Sequence, residues 1–116
     1  MIRVSGLQKA FETLKAVDAI SFEVQKGELC GVLGPNGAGK STLFKMLMGL
    51  LESDAGAFSI AGEQIVYGET AYKNSIGYAP EAPVFFEYLT GWQFLAFIAA
   101  ARGITKTKRA DAIARW

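Results

Sequence analysis

The sequence predicts an α/β fold, in which strands and helices share one apolar core. Three observations indicate this fold. Residues 2–7 and 16–24 alternate apolar and polar side chains, as strands with one buried face do. Residues 29–33 form a short apolar run, which is typical of a strand buried on both faces. A glycine-rich loop follows this run and leads directly into a stretch with helical spacing of apolar residues.

Composition limits the classes of protein that the chain can belong to. The chain has 116 residues, of which 51% are hydrophobic and 20% charged, so we expect a globular domain or part of one. The net charge is +1 with no basic stripe, so nucleic acid is not an expected partner. The single cysteine, Cys30, lies in the predicted buried strand and indicates a reducing compartment. The longest apolar run, residues 94–101, is too short to span a bilayer.

The loop has the pattern glycine, any four residues, glycine, lysine, then serine or threonine. Its residues are Gly34, Pro35, Asn36, Gly37, Ala38, Gly39, Lys40, Ser41 and Thr42. Glycines let successive backbone N–H groups turn toward one anion, and a helix that starts near Lys40 presents its positive end to the same place. Lys40 adds a charge for β and γ phosphates, and the Ser41 hydroxyl suits Mg²⁺. The alternative is an ordinary glycine-rich turn that caps a helix.

The elements after the loop follow from their own patterns. Residues 41–50 place Leu43, Phe44, Leu47 and Leu50 at helical spacing. Strands are predicted at residues 57–61, with an extension at 65–67, and at residues 76–79 before Pro80. Thr90 and Gln93 form a capping box for a helix over 90–102, whose large apolar residues we expect in a core. A last helix is predicted over 107–116.

The chain resembles the first half of the ATP-binding cassette (ABC) domain of ABC transporters. The loop has that family's commonest form, and its flanks match too. The matching segments are residues 7–11, residues 17–22, residues 26–28 and residues 76–81. The resemblance implies a P-loop NTPase fold of the ABC type. In that fold, residues 1–80 hold an antiparallel sheet and the P-loop core, and residues 81–116 hold the Q-loop and the start of a helical subdomain.

The resemblance also assigns roles to two residues outside the loop. Phe11 occupies the position whose aromatic ring stacks on adenine; the alternative is an ordinary packing aromatic. Glu81 occupies the Q-loop position, which is usually glutamine, and would hold Mg²⁺ and water beside Ser41. The alternative for Glu81 is a solvated surface side chain. Glutamate at this position resembles the branch that exports drugs, antibiotics and lipids.

The function that the resemblance implies is that of an ATPase subunit that couples ATP binding and hydrolysis to transport, with export favoured. Lys40 and Glu81 would be its catalytic residues. Its partners would be membrane-spanning subunits and a second ATP-binding subunit, with the protein on the cytoplasmic face of the membrane. Three aromatic residues, Phe85, Phe86 and Tyr88, would form the groove that receives a membrane subunit. The alternative is that they belong to the core.

Several motifs of complete family members lie downstream of the region that this chain matches. These are the signature sequence, the acidic strand and the switch histidine, and this chain contains no histidine. In the family, two later strands also separate the strands at 29–33 and 76–79. We therefore expect the chain alone neither to hydrolyse ATP nor to fold stably. Two alternatives remain: a gene fragment that binds nucleotide weakly or not at all, and a soluble ABC protein that acts on ribosomes or in DNA repair.

Overall fold

A computed structural model describes residues 1–82 and 85–113, with only the backbone described at residue 112. The chain divides into two compact units, Met1–Tyr78 and Ala79–Trp116. The first unit contains a β-sheet and the glycine-rich loop with its helix. The second unit contains two helices among the residues that are described.

The sheet of the first unit has four strands, all antiparallel to their neighbours. The strands are β1 (Ile2–Phe11), β2 (Leu14–Val24), β3 (Ala55–Ile60) and β4 (Glu63–Gln64). Their order across the sheet is β2-β1-β3-β4. The strands predicted at 2–7, 16–24 and 57–61 are confirmed, and the first two are longer than predicted because they continue into a tight hairpin at residues 12 and 13.

The helix after the loop, α1 (Lys40–Leu47), covers the apolar residues of the sheet. Leu43, Met46 and Leu47 are its buried residues, and Met46 is only 1% exposed. They pack in one cluster with residues of the sheet and of the segment after it. These residues are Val4, Leu7, Val17, Phe58, Ile60, Ile65 and Tyr72. The helix therefore fixes the end of the glycine-rich loop against a packed core.

Fewer apolar residues are buried at α1 than the helical spacing over residues 41–50 predicts. Phe44 is 40% exposed and Leu50 is 58% exposed. Leu50 lies outside the helix because α1 ends at Leu47 and Gly49 adopts a left-handed backbone, with φ of 62°. That conformation suits glycine and ends the helix, as a C-terminal cap does.

Two predicted strands are wrong in this structure. Residues 29–33 form no strand, and Leu29 and Leu33 are 99% and 95% exposed. Residues 76–79 are also irregular, after a 3₁₀ helix at Ala71–Ser75, and residues 65–67 do not extend β4. A strand exists only where a neighbour accepts its hydrogen bonds, and no described strand pairs with residues 29–33 or 76–79. Cys30 is consequently exposed rather than buried.

The second unit contains α2 (Gly91–Ala101) and α3 (Lys106–Ile113). The predicted capping box is confirmed: Gln93 N–H donates to Thr90 Oγ1 at 3.3 Å, and Thr90 N–H donates to Gln93 Oε1 at 2.8 Å. The last predicted helix is confirmed up to Ile113, and residues 114–116 lie outside the described part. Within the described residues, no helix is long and apolar enough to cross a membrane.

The prediction that the large apolar residues of α2 belong to a core is wrong for most of them. Trp92 is 56% exposed and Phe97 is 50% exposed, and only Ala99 is buried. The helix packs against α3 through a small part of its surface, and that contact is too short to cover its aromatic side chains.

Candidate functional site

The glycine-rich loop, residues 34–42, turns sharply before α1. Gly37 and Gly39 both have left-handed backbones, with φ of 82° and 83°. At Gly39 a second constraint applies, because a Cβ atom there would overlap the carbonyl oxygen of Ala16 in β2. Glycine at 39 is therefore required both by its backbone angles and by close packing of the loop on the sheet.

The side chain of Lys40 folds back across the loop. Its Nζ donates to the carbonyl oxygens of Gly34 and Pro35, each at 2.7 Å. The ammonium group thus lies at the mouth of the loop and is held by neutral carbonyl oxygens. No carboxylate among the described residues pairs with it. An anion that enters the loop meets a positive charge that no salt bridge neutralises.

Backbone donors at the start of α1 are free for a ligand. The first hydrogen bond of the helix runs from Leu43 N–H to Gly39 O at 2.8 Å. Within the described residues, the N–H groups of Lys40, Ser41 and Thr42 have no hydrogen-bond partner. The first turn of α1 contains no acidic side chain. Free N–H groups and the positive helix end together favour an anion, and phosphate is the commonest one bound in this way.

Ser41 is the second residue of α1, and it is exposed. Across residues 1–82 and 85–113, no three His, Cys, Asp or Glu side chains cluster closely enough to hold a metal ion. One exposed hydroxyl fits Mg²⁺ only where phosphate oxygens and water complete its coordination, which is how Mg²⁺ usually binds with nucleotides. Glu81 is exposed and belongs to the second unit, so a shared role with Ser41 stays a prediction.

Phe11 ends β1 at the tip of the hairpin and is 47% exposed. It pairs with Leu14 in the neighbouring strand, two residues before the Ala16 carbonyl that Gly39 approaches. The ring and the glycine-rich loop therefore lie at the same end of β2. A half-exposed ring at this end is free to contact a ligand, and the alternative of an ordinary core aromatic does not fit its exposure.

Asp54, just before β3, lies at the same end of the sheet as the last residues of β1. Its carboxylate accepts from Lys9 Nζ at 2.6 Å and from Ala10 N–H at 2.7 Å. The hydrogen bond from Lys9, followed by the one from Ala10, holds the pKa of Asp54 below its ordinary value. No short-range pattern marks this contact, because the partners lie 44 and 45 residues apart in the chain.

The Asp54 carboxylate gives the first testable prediction, a pH dependence. The folded-state pKa is lowered, so the carboxylate stabilises the fold above the unfolded-state pKa of about 3.9 and this contribution is lost as pH falls below it. We expect Asp54→Asn to lower the melting temperature of a full-length cassette at neutral pH, and the difference from wild type to shrink below about pH 4. A difference that grows with acidification would contradict this assignment. In a Lys9→Met background the pKa of Asp54 lies closer to its unfolded-state value, so we expect Asp54→Asn to lower the melting temperature by less at neutral pH.

The second unit presents an aromatic surface made by Phe85, Phe86, Tyr88, Phe94 and Phe97. Phe86 lies at the centre, with ring centroids 5.7 Å from Phe97, 5.8 Å from Tyr88 and 6.3 Å from Phe94. Three of the rings, Phe85, Phe86 and Phe94, border a groove of about 380 Å³ together with Leu89 and Leu95. Tyr88 is 81% exposed, so the aromatics predicted at this surface do lie at it. Residues 83 and 84 lie outside the described part.

Comparisons of the sequence and of the fold with known proteins agree on one family. The ABC transporter family matches residues 17–116. An uncharacterized ABC transporter ATP-binding protein of Synechocystis is 39% identical over 84% of this chain and 27% of its own length. The linearmycin resistance ATP-binding protein LnrL of Bacillus subtilis is 36% identical over 90% of this chain and 34% of its own.

A solved structure of an ABC transporter ATP-binding subunit superimposes with a TM-score of 0.79 and 34% identity, over 93% of this chain and 45% of that one. The chain thus spans about a third of the length of the curated relatives named above. The chain belongs to the ABC transporter family, and its fold is part of the P-loop NTPase cassette of that family.

Proposed function

We propose that this chain contributes the phosphate-binding half of the ATP site of an ABC transporter ATP-binding subunit. The observation that supports this best is the start of α1. There the Lys40 ammonium lies on a loop without acidic side chains, and three backbone N–H groups have no hydrogen-bond partner among the described residues. This donor set suits the β and γ phosphates of ATP. In the full-length protein, ATP binding and hydrolysis would drive transport.

The chemistry assigned to these residues is stabilisation of charge during phosphoryl transfer. Lys40 and the loop N–H groups would hold the oxygens on which negative charge gathers, which lowers the barrier because these groups are already oriented. Ser41 would be one ligand of Mg²⁺, with Glu81 as a second. The metal ion, when bound, neutralises charge on the β and γ phosphates. Glu81 would also orient the water that attacks the γ phosphate.

The partners follow from the family. A second ATP-binding subunit would complete the site, and membrane-spanning subunits would hold the protein at the cytoplasmic face of the membrane. The aromatic surface around Phe86 is the proposed contact with a membrane subunit, because a groove with this many exposed rings is typical of a protein interface. Export is the proposed direction, supported by Glu81 and by the name of the Bacillus relative, a linearmycin resistance ATP-binding protein.

A second candidate is a fragment that binds nucleotide weakly or not at all. The exposure of Leu29 and Leu33 favours it for the chain by itself, because these two apolar side chains lie in solvent. A soluble ABC ATPase is the third candidate, and the aromatic surface is the observation against it. Titration with Mg-ATP separates the first two: saturable binding by a full-length cassette supports the proposal, and none at millimolar ATP contradicts it.

The second testable prediction concerns Phe11 and the base. Stacking on an aromatic ring contributes roughly 1–3 kcal/mol per base, so we expect Phe11→Ala to weaken ATP binding about tenfold and Phe11→Tyr to change it little. Inorganic tripolyphosphate has no base, so its affinity is the internal control and is expected to stay the same in all three proteins. Equal ATP affinity in wild type and Phe11→Ala would rule out the stacking role.

A further inference from the structure

We infer that Asp54 is a positioning residue for the base-binding ring of Phe11, and that Lys9 covers one face of that ring so that the base stacks on the other. This inference rests on the proposed function, in which Phe11 contacts the base of ATP. It adds two residues, from β1 and from the loop before β3, that determine how tightly the base is held.

The backbone pairing between β1 and β3 ends before it reaches Phe11. Backbone pairing between these strands reaches Gln8 and Ala55, and Asp54 N–H still donates to Gln8 O at 2.9 Å. Beyond this point β3 has no residue to pair with the last part of β1. The carboxylate of Asp54 takes over, accepting from Ala10 N–H at 2.7 Å. Asp54 therefore fixes the backbone of the residue immediately before Phe11.

The ammonium group of Lys9 lies beside the ring of Phe11. Asp54 Oδ1 holds Lys9 Nζ at 2.6 Å, and that nitrogen lies 5.8 Å from the centroid of the Phe11 ring. The Lys9 side chain is only 14% exposed, so it is confined beside the ring. A cation at this distance is attracted to an aromatic face. One face of the ring is thereby occupied, while 47% of Phe11 remains accessible.

Strands β1 and β2 connect the ring of Phe11 to the phosphate loop. The other edge of β1 pairs with β2, whose Ala16 carbonyl lies against Gly39 of the loop. Asp54 holds β1 from the opposite edge. The strand that carries the Phe11 ring, β1, is thus held at one edge by β2, which contacts the phosphate loop, and at the other edge by the Asp54 carboxylate. These two contacts would fix the distance between the ring and the phosphates of bound ATP. Loss of Asp54 would free the ring without altering the loop.

The test compares two ligands, Mg-ATP and inorganic tripolyphosphate, by calorimetric titration of a full-length cassette. We expect Asp54→Ala and Lys9→Met to weaken ATP binding roughly three- to tenfold and to leave tripolyphosphate affinity unchanged. Asp54→Asn, which keeps an acceptor for Ala10 N–H, is expected to lose less. Glu23→Ala is the matched control, because it removes the ion pair with Arg3 (3.1 Å) at the far end of β1. It is expected to change neither affinity.

Each outcome decides between the inference and the proposed function. If Phe11→Ala selectively weakens ATP binding but Asp54→Ala and Lys9→Met do not, the positioning role is wrong and the base site stands. If Phe11→Ala weakens neither ligand, the base site itself is wrong. Equal loss of both ligands in Asp54→Ala means that the carboxylate only stabilises the fold. If Asp54→Ala does not fold, Lys9→Met gives the decision, because it retains the hydrogen bond between Asp54 and Ala10.

Discussion

Replacing Lys40 by alanine is expected to lower ATP hydrolysis by a full-length cassette by about three orders of magnitude or more. The ammonium lies at the mouth of the loop, 2.7 Å from two carbonyl oxygens. Removing it takes away charge stabilisation that grows during phosphoryl transfer. The fold loses only two hydrogen bonds in an exposed loop, about 1–3 kcal/mol.

Lys45→Ala is the matched control for this prediction. Lys45 lies in the last turn of the same helix and is exposed, so its loss removes an equal charge far from the loop. Steady-state phosphate release is the measurement, with melting temperature recorded for both variants. Hydrolysis by Lys40→Ala at the wild-type rate would remove Lys40 from the catalytic residues. An equal loss in Lys45→Ala would mean that net charge of the helix, and not the position of Lys40, is responsible.

The loop and its helix could be predicted from the sequence because their chemistry is local. The order of glycine, lysine and serine specifies a sharp turn and a helix start within nine residues, and α1 does begin at Lys40. The capping box at Thr90 is local for the same reason. What the sequence could not show at Gly39 is the second constraint, contact with the Ala16 carbonyl, because that depends on where β2 lies.

The parts that sequence reasoning missed depend on distant partners. Asp54 gains its role only when β3 pairs with β1 and brings it to Lys9 and Ala10. The segments at 29–33 and 76–79 have the composition of buried strands, but composition does not supply a neighbour for hydrogen bonding. Without one among the described residues they remain irregular and Leu29 stays exposed.

Those exposed leucines give the last prediction, which concerns the double substitution of Leu29 and Leu33 by glutamine. The two side chains are 99% and 95% exposed here, yet they belong to an apolar run directly before the phosphate loop. The family resemblance places further strands beside this run, and the curated relatives named above are about three times as long as the chain. We propose that residues 29–33 are covered in the full-length protein.

The same double substitution is therefore expected to act in opposite directions in two contexts. In residues 1–116 expressed alone, it replaces exposed apolar side chains, so we expect aggregation to fall. In a full-length cassette, losing each buried leucine costs roughly 2–5 kcal/mol, and the pair approaches the whole stability of about 5–15 kcal/mol.

Light scattering and chemical denaturation measure the two effects. The control is substitution of both leucines by methionine, which keeps volume and is expected to cost less than about 1.5 kcal/mol per site. Equal and small effects of glutamine in both proteins would show that residues 29–33 stay exposed and would refute the covered strand.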